Sequence, residues 1–192
     1  MTNYFNHSSN IKPVKGCLLL SEPFLDDEYF KRAVIFLCEH NDEGSFGFVL
    51  NNYVKINLKE LVEDFGDFDA TVSLGGPVSA NNLYYIHTLG KELPGSTPIV
   101  QGLYIGGEFE VLKKLINNKA ITPDQIKFFL GYSGWDANQL NKEMKEDSWI
   151  VTKSSIKEIM GKVDKHLWKK ILKKMGGKFS IISNYPINPS LN

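Results

Sequence analysis

The stretch Phe128-Phe129-Leu130-Gly131-Tyr132-Ser133-Gly134-Trp135-Asp136-Ala137-Asn138-Gln139-Leu140 decides how the rest of the chain is read. Phe128, Leu130 and Tyr132 alternate with Phe129 and Gly131, which is the period of a strand. Aromatic residues on both sides suit a strand buried on both faces. Gly131 and Gly134 then read as a sharp strand-to-helix corner, because glycine permits backbone angles and close approaches that a side chain forbids. Asp136 is the expected N-cap, with Gln139 as its capping-box partner and Leu140 and Met144 on the inner face of the helix. Trp135 falls at the corner itself, either as a buried anchor or as a ring offered to a ligand.

Working outward, residues 33–51 read as a hairpin. Ala33 to His40 is rich in β-branched and aromatic residues, Asn41-Asp42-Glu43-Gly44 has turn chemistry, and Phe46 to Asn51 returns. Gly16 to Leu20 is a first strand, Leu83 to His87 and Ile99 to Ile105 are further strands, and Trp149 to Thr152 is a short one. Asn57 with Glu60 and Ser155 with Glu158 are capping boxes that open helices. The helix after Asn57 carries Leu58, Leu61, Val62 and Phe65 as its apolar stripe. Phe109, Leu112, Leu115 and Ile116 mark another helix. Asp164 caps the longest one, with Leu167, Trp168, Ile171, Leu172 and Met175 inward and Gly176 as its stop. Phe179 to Ile182 reads as a last strand. Strands and helices mix irregularly, so the fold class is α/β, α+β-like, with a mixed sheet and flanking helices.

The chain has 192 residues, which suits one domain spanning 1–192, with loose ends over 1–13 and 184–192. Formal net charge is zero, so no global attraction to a polyanion is expected. No apolar run approaches the ~20 residues of a membrane span, and residues 1–10 are too polar for a signal-peptide core. Cys17 and Cys38 lie inside apolar strands and read as reduced core thiols of a cytoplasmic protein. The neutral total hides a split. Residues 21–70 carry twelve acidic side chains against four basic ones, while residues 153–178 carry nine lysines against Glu158 and Asp164. Those lysines face the acidic half, within the molecule or across a homodimer, or an anionic partner.

Several motifs recur in one order: Gly16-Cys17-Leu18-Leu19-Leu20, Val34 to His40, Gly44 to Asn51, Gly75-Gly76-Pro77-Val78, His87, Tyr104-Ile105-Gly106-Gly107, and Gly131 to Trp135 with Gln139-Leu140. Over roughly residues 15–175 this resembles the YqgE/AlgH family of bacterial cytosolic proteins. The resemblance implies a single compact α/β domain whose mixed, bifurcated sheet curls into a barrel-like part with helices around it. It implies no settled activity; some members carry a transcriptional-regulator label. Two positions depart from the family pattern, which usually has Gly at Asn138 and Glu at Asn141.

The candidate site is a groove walled by Glu39, His40, Asn51, Gly75, Gly76, His87, Tyr132, Trp135 and Gln139. These residues sit near tight turns, where side chains are held yet reach solvent. Cys38 and His40, two apart on a strand, share a face and with His87 would make an N/S metal set, but no paired ligand spacing supports one. Ser133 between Gly131 and Gly134 lacks the spacing of a nucleophile elbow. Gly75-Gly76-Pro77 and Gly106-Gly107 read as tight turns more readily than as phosphate cradles. No cofactor or metal is called for. The expected function is non-catalytic binding or regulation of a protein or small molecule. The alternatives are a regulator with weak nucleic-acid contact through the lysines, and a small-molecule enzyme using His40 or His87 as acid–base.

Overall fold

The computed structural model describes residues 11–54 and 56–187. Of the ends expected to be loose, 1–10 and 188–192 lie outside the described residues. The strands are β1 (Leu18–Ser21), β2 (Val34–Asn41), β3 (Gly44–Val49), β4 (Tyr53–Val54), β5 (Val72–Leu74), β6 (Val78–His87), β7 (Thr97–Val100), β8 (Leu103–Ile105), β9 (Ile126–Asp136) and β10 (Trp149–Thr152). The helices are α1 (Leu58–Leu61), α2 (Phe109–Asn117), α3 (Gln139–Lys145), α4 (Ile156–Met160), α5 (Leu167–Met175) and α6 (Gly177–Ile182). The strands form one mixed sheet in the order β10-β1-β2-β3-β9-β6-β8-β7, with β4 and β5 off that path.

The bifurcation lies on β9. One edge pairs with β6 from Ile126 to Tyr132. The other is shared: Val72 to Leu74 of β5 run parallel to Phe128 to Leu130, and Gly44 to Gly47 of β3 run antiparallel to Ser133 to Asp136. Gly131 sits at the fork, with φ +66. An added Cβ there would stand 2.5 Å from the Gly76 carbonyl oxygen and 2.8 Å from that of Val78. Reciprocally, a Cβ on Gly75 would stand 2.3 Å from the Gly131 oxygen. Two backbones cross here with no room for a side chain.

The crossing also resets the alternation of β9. Phe128 and Leu130 pack on one face with Leu58, Leu112 and Ile116, and Phe129 packs on the other with Phe36 and Phe48. Regular alternation would return Tyr132 to the side of Phe128. Instead it packs with Phe129, because the left-handed Gly131 inserts a kink, answered on β6 by a register shift between Val78 and Leu83. The concave face carries the largest core, in which Leu18, Phe36, Phe48, Phe129 and Ile150 meet Trp168, Ile171 and Leu172 of α5 and Ile182 of α6. Ile99 of β7 and Leu103 of β8 join it, so the sheet curls without closing. Two smaller cores lie outside, one under α1 and α2, the other between Trp135, Trp149 and Leu140 of α3.

Several local expectations change. The predicted corner at Gly131–Gly134 is strand; the turn comes at Ala137–Asn138, where Asn138 has φ 63 and makes no side-chain cap. Gln139 still reaches back, its Oε1 accepting the Asp136 N–H at 2.9 Å. The Asn57–Glu60 box forms, but α1 is one turn long, since Val62 is already extended; Phe65 reaches its core from the following loop. Residues 99–105 are a hairpin, broken at Gly102 with φ 80. Residues 177–182 are helical: Phe179 and Ile182 share the inner side while Ile181 is 65% exposed, a helical and not an alternating pattern. The N-cap of α5 is His166, while the Asp164 carboxylate accepts the His166 N–H. The tail is tied down as far as Pro186, because Arg32 donates to the carbonyls of Tyr185 and Pro186. Cys17 and Cys38 are free, buried thiols, as predicted.

Gly131→Ala should lower stability by about 2–4 kcal/mol through left-handed strain and overpacking, a melting-temperature drop of roughly 5–15 °C for a chain of this size. Gly177→Ala, where nothing stands within 4 Å of the added Cβ, should cost far less. Equal losses in calorimetry would refute the crossing as the source.

Candidate functional site

Where β9 runs on past its pairing with β6 and keeps only β3 beside it, a cavity of about 740 Å³ opens on the concave face. Its apolar wall is Phe46, Phe48, Tyr84 and Tyr132, joined by Val78 and Ile105. The rings meet edge to face: Phe46 and Tyr132 at 6.1 Å between centroids, Tyr84 and Tyr132 at 5.6 Å. The polar lining is Glu39, Asn41, Glu43, Ser45, Asp136 and Gln139.

Local sequence explains each position. Tyr132 is turned inward by Gly131, as described above. Glu39 is turned inward by a second irregularity: Leu37 pairs with Gly47 and Glu39 with Phe46, so Cys38 is an extra residue. Cys38 packs into the concave core beside Phe36, and Glu39 follows on the same side. The predicted shared face of Cys38 and His40 therefore does not exist. His40 is cross-strand from Ser45, its Nδ1 2.7 Å from the Ser45 Oγ. Glu39 accepts from Lys15 Nζ at 2.9 Å, and that hydrogen bond holds its carboxyl below the usual carboxylate range.

Of the nine predicted residues, Glu39, Tyr132, Trp135 and Gln139 line the cavity. The other five lie elsewhere. Asn51 clips the start of β2 to the end of β3, its Oδ1 accepting the Val34 N–H and its Nδ2 donating to the Arg32 carbonyl. Gly75 and Gly76 form the backbone crossing, and the Gly75 oxygen accepts the Val49 N–H and the buried Ser133 hydroxyl. Ser133 is thus mid-strand and occupied, not at an elbow. His40 stands beside the cavity through Ser45. His87 is fully buried and stacked on Tyr104 at 5.8 Å. Its Nδ1 accepts the Leu89 N–H and its Nε2 donates to the Gly106 carbonyl, which anchors the loop after β6. Among the described residues no group of three or more His, Cys, Asp and Glu is placed to hold a metal ion.

Sequence reasoning missed Phe46, Phe48 and Tyr84 as lining residues, since three separate strands bring them together. It also missed Glu143. That carboxylate accepts the indole N–H of Trp135 at 2.8 Å, the indole N–H of Trp149 at 2.7 Å, and the Gln139 amide at 2.9 Å. Gln139 and Glu143 are four apart on α3, the one sequence signal that could have pointed there. Trp135 is accordingly a buried anchor at 7% exposure. Lys127 of β9 is a further surprise. It lines a separate cavity of about 760 Å³ with Tyr53, Asp124 and Val163, and burial alone brings its pKa down to about 8. The lysines of α5 pair locally, Lys170 with Asp164 and Lys174 with Glu158, and not with the acidic 21–70 segment among the described residues.

The family described as AlgH-like matches residues 18–180. The chain belongs to the AlgH-like family. A UPF0301 protein of Bacteroides fragilis is 41% identical over 186 residues, which cover 96% of this chain and 94% of that protein. A UPF0301 protein of Cytophaga hutchinsonii is 41% identical over 179 residues, covering 93% and 98%. The solution structure of the AlgH protein from Pseudomonas aeruginosa superposes with a TM-score of 0.71 at 23% identity, covering 93% of this chain and 98% of that one. Protein DIP2367 from Corynebacterium diphtheriae superposes with a TM-score of 0.76 at 18% identity, covering 96% and 100%. At these identities the two structures share the fold. In this AlgH-like chain Asn138 takes a left-handed backbone angle, φ 63, of the kind that Gly adopts most readily and Asn occasionally. Among the described residues of this AlgH-like chain no helix is long and apolar enough to cross a membrane.

Burial holds both His87 and Lys127 below their ordinary pKa values, so the folded state binds fewer protons than the unfolded chain in two windows. Stability should therefore rise with pH as His87 of the unfolded chain loses its proton near ~6.5, and again between about 8 and ~10.4 for Lys127. Thermal melts across pH should show the lower slope weakened in His87→Gln and the upper one in Lys127→Met. Unchanged slopes would contradict the burial of these groups.

Proposed function

We propose that this AlgH-like chain is a cytoplasmic binding protein without chemistry of its own, taking its ligand in the cavity between Glu39, Phe46, Tyr84 and Tyr132. The observation that carries this reading is the lining itself. A volume of about 740 Å³ suits a small molecule or one side-chain cluster of a protein partner. Its wall is aromatic, and its polar groups stand on one rim, an arrangement that orients a ligand. The two free thiols in the core, Cys17 and Cys38, support the reducing cytoplasm as its compartment. A regulatory role would follow if ligand occupancy changed what the protein contacts.

One observation favours an enzymatic reading instead. His40 Nδ1 touches Ser45 Oγ at the cavity edge. A working nucleophile needs the base to be oriented by a third group, and among the described residues no carboxylate bonds the other ring nitrogen of His40. His87 is walled into the loop after β6 and does not line the cavity. Nucleic acid would have to use α5, whose outward residues are lysines without interleaved aromatics; that suits weak, salt-sensitive contact and not base stacking.

The test is a set of ¹⁵N–¹H spectra of the full chain titrated with a library of small aromatic and amine fragments. Binding should shift the amides of Phe46, Tyr84, Tyr132 and Gln139 together and return every fragment unchanged. Shifts clustered on α5, or conversion of a fragment that stops in Ser45→Ala, would overturn the proposal.

A further inference from the structure

The cavity lining carries a sign. Glu39, Glu43 and Asp136 are its charged residues, and none of its lining residues is Lys, Arg or His. Glu39 is balanced by Lys15, which reaches in from outside the lining. Glu43 and Asp136 have no ion pair among the described residues. They are close, because Gly44 is the cross-strand partner of Asp136 and Glu43 precedes it. Among the described residues neither carboxylate accepts a hydrogen bond; the bonds these two residues make use their backbone N–H groups, taken by Asn41 Oδ1 and Gln139 Oε1.

Beneath that rim lie Phe46, Phe48, Tyr84 and Tyr132. Aromatic faces are the negative part of the ring quadrupole and attract cations, most strongly where water is partly excluded. Wall and rim thus favour the same charge. A bare metal ion fits neither: it wants three or more oxygen ligands at short range, and no such group exists among the described residues. A neutral apolar ligand would use the rings and leave the rim's field idle. An anion would meet carboxylates with no cation in the lining to offset them.

Resting on the reading of this cavity as the binding site, we propose that its ligand is a small organic cation with an apolar body, an alkyl- or arylammonium or a guanidinium. The charged end sits between Glu43 and Asp136, and the body lies on Tyr84 and Tyr132. Lys15 then acts as a built-in competitor, since its ammonium neutralises the third carboxylate.

The test uses isothermal titration of the full chain with two probe pairs that differ in charge and little in shape. One is choline with 3,3-dimethyl-1-butanol, the other N-acetyl-arginine amide with N-acetyl-citrulline amide. At least one cation should bind about tenfold tighter than its neutral partner, as expected of a cation on partly desolvated rings. That advantage should shrink at high salt and disappear in Glu43→Gln/Asp136→Asn, whose sites are on the surface and leave the fold intact. Lys15→Met should tighten cation binding severalfold, which a merely structural lysine would not do. If neutral and charged partners bind alike, the charge assignment is overturned while the binding-cavity reading stands. If no probe binds in the cavity, or the double variant keeps the full advantage, the proposal is refuted.

Discussion

The structure depends on one close approach, the backbone of Gly75 and Gly76 lying against Gly131, Tyr132 and Ser133. β9 has to serve two partners on one edge, a parallel one and then an antiparallel one, and they cannot both continue. The changeover needs carbonyl and Cα packed where a Cβ would fit at 2.3–2.5 Å, closer than real contacts allow. The polar groups are then used up at once. The Gly75 N–H goes to Leu130, and its oxygen takes Val49 and Ser133. Burying them without partners would cost on the order of 1–3 kcal/mol each, so the fork is stable only as a complete set.

The fork also makes the site. A left-handed Gly131 turns Tyr132 from the outer face to the concave one, and the extra residue at Cys38 does the same for Glu39. β9 runs on past the end of its pairing with β6 at the same level, leaving a gap that the rings of Phe46, Phe48 and Tyr84 line but do not fill. The cavity is thus a consequence of sheet topology, and its charge comes from three stretches of local sequence: Glu39 near the end of β2, Glu43 in the β2–β3 turn and Asp136 at the end of β9. The basic face of α5 belongs to a different part of the molecule, with its own local acids at Asp164 and Glu158.

Much of this was legible in the chain. The hairpin of residues 33–51, the capping boxes at Asn57 and Ser155, the stop at Gly176 and the two buried thiols follow from local chemistry, and they are present. What was misread is what local chemistry leaves ambiguous. A glycine in a strand looks like a turn unless the second backbone, here more than fifty residues away, is known. A bulge is invisible to strict alternation, which sets Cys38 and His40 on one face and Tyr132 with Phe128. The site was half legible for the same reason. Glu39, Trp135 and Gln139 stand near turns that punctuation reveals and Tyr132 follows a glycine that resembles one, whereas Tyr84 and Phe46 are ordinary strand aromatics until topology brings them together. His87 looked available because polar residues at strand ends often are; the Gly106 carbonyl and the Leu89 N–H claim both its nitrogens.

If the crossing holds both branches of the sheet as one unit, the branches must open together. Native-state hydrogen exchange at the amides of Gly75 and Val49, followed against denaturant, measures this most directly, since one bonds across to β9 and the other back from β3 to the crossing. Both amides should exchange only through global unfolding, with the same free energy as the centre of β2. Exchange of the Gly75 amide through a local opening well below that value, while Val49 stays protected, would contradict the account.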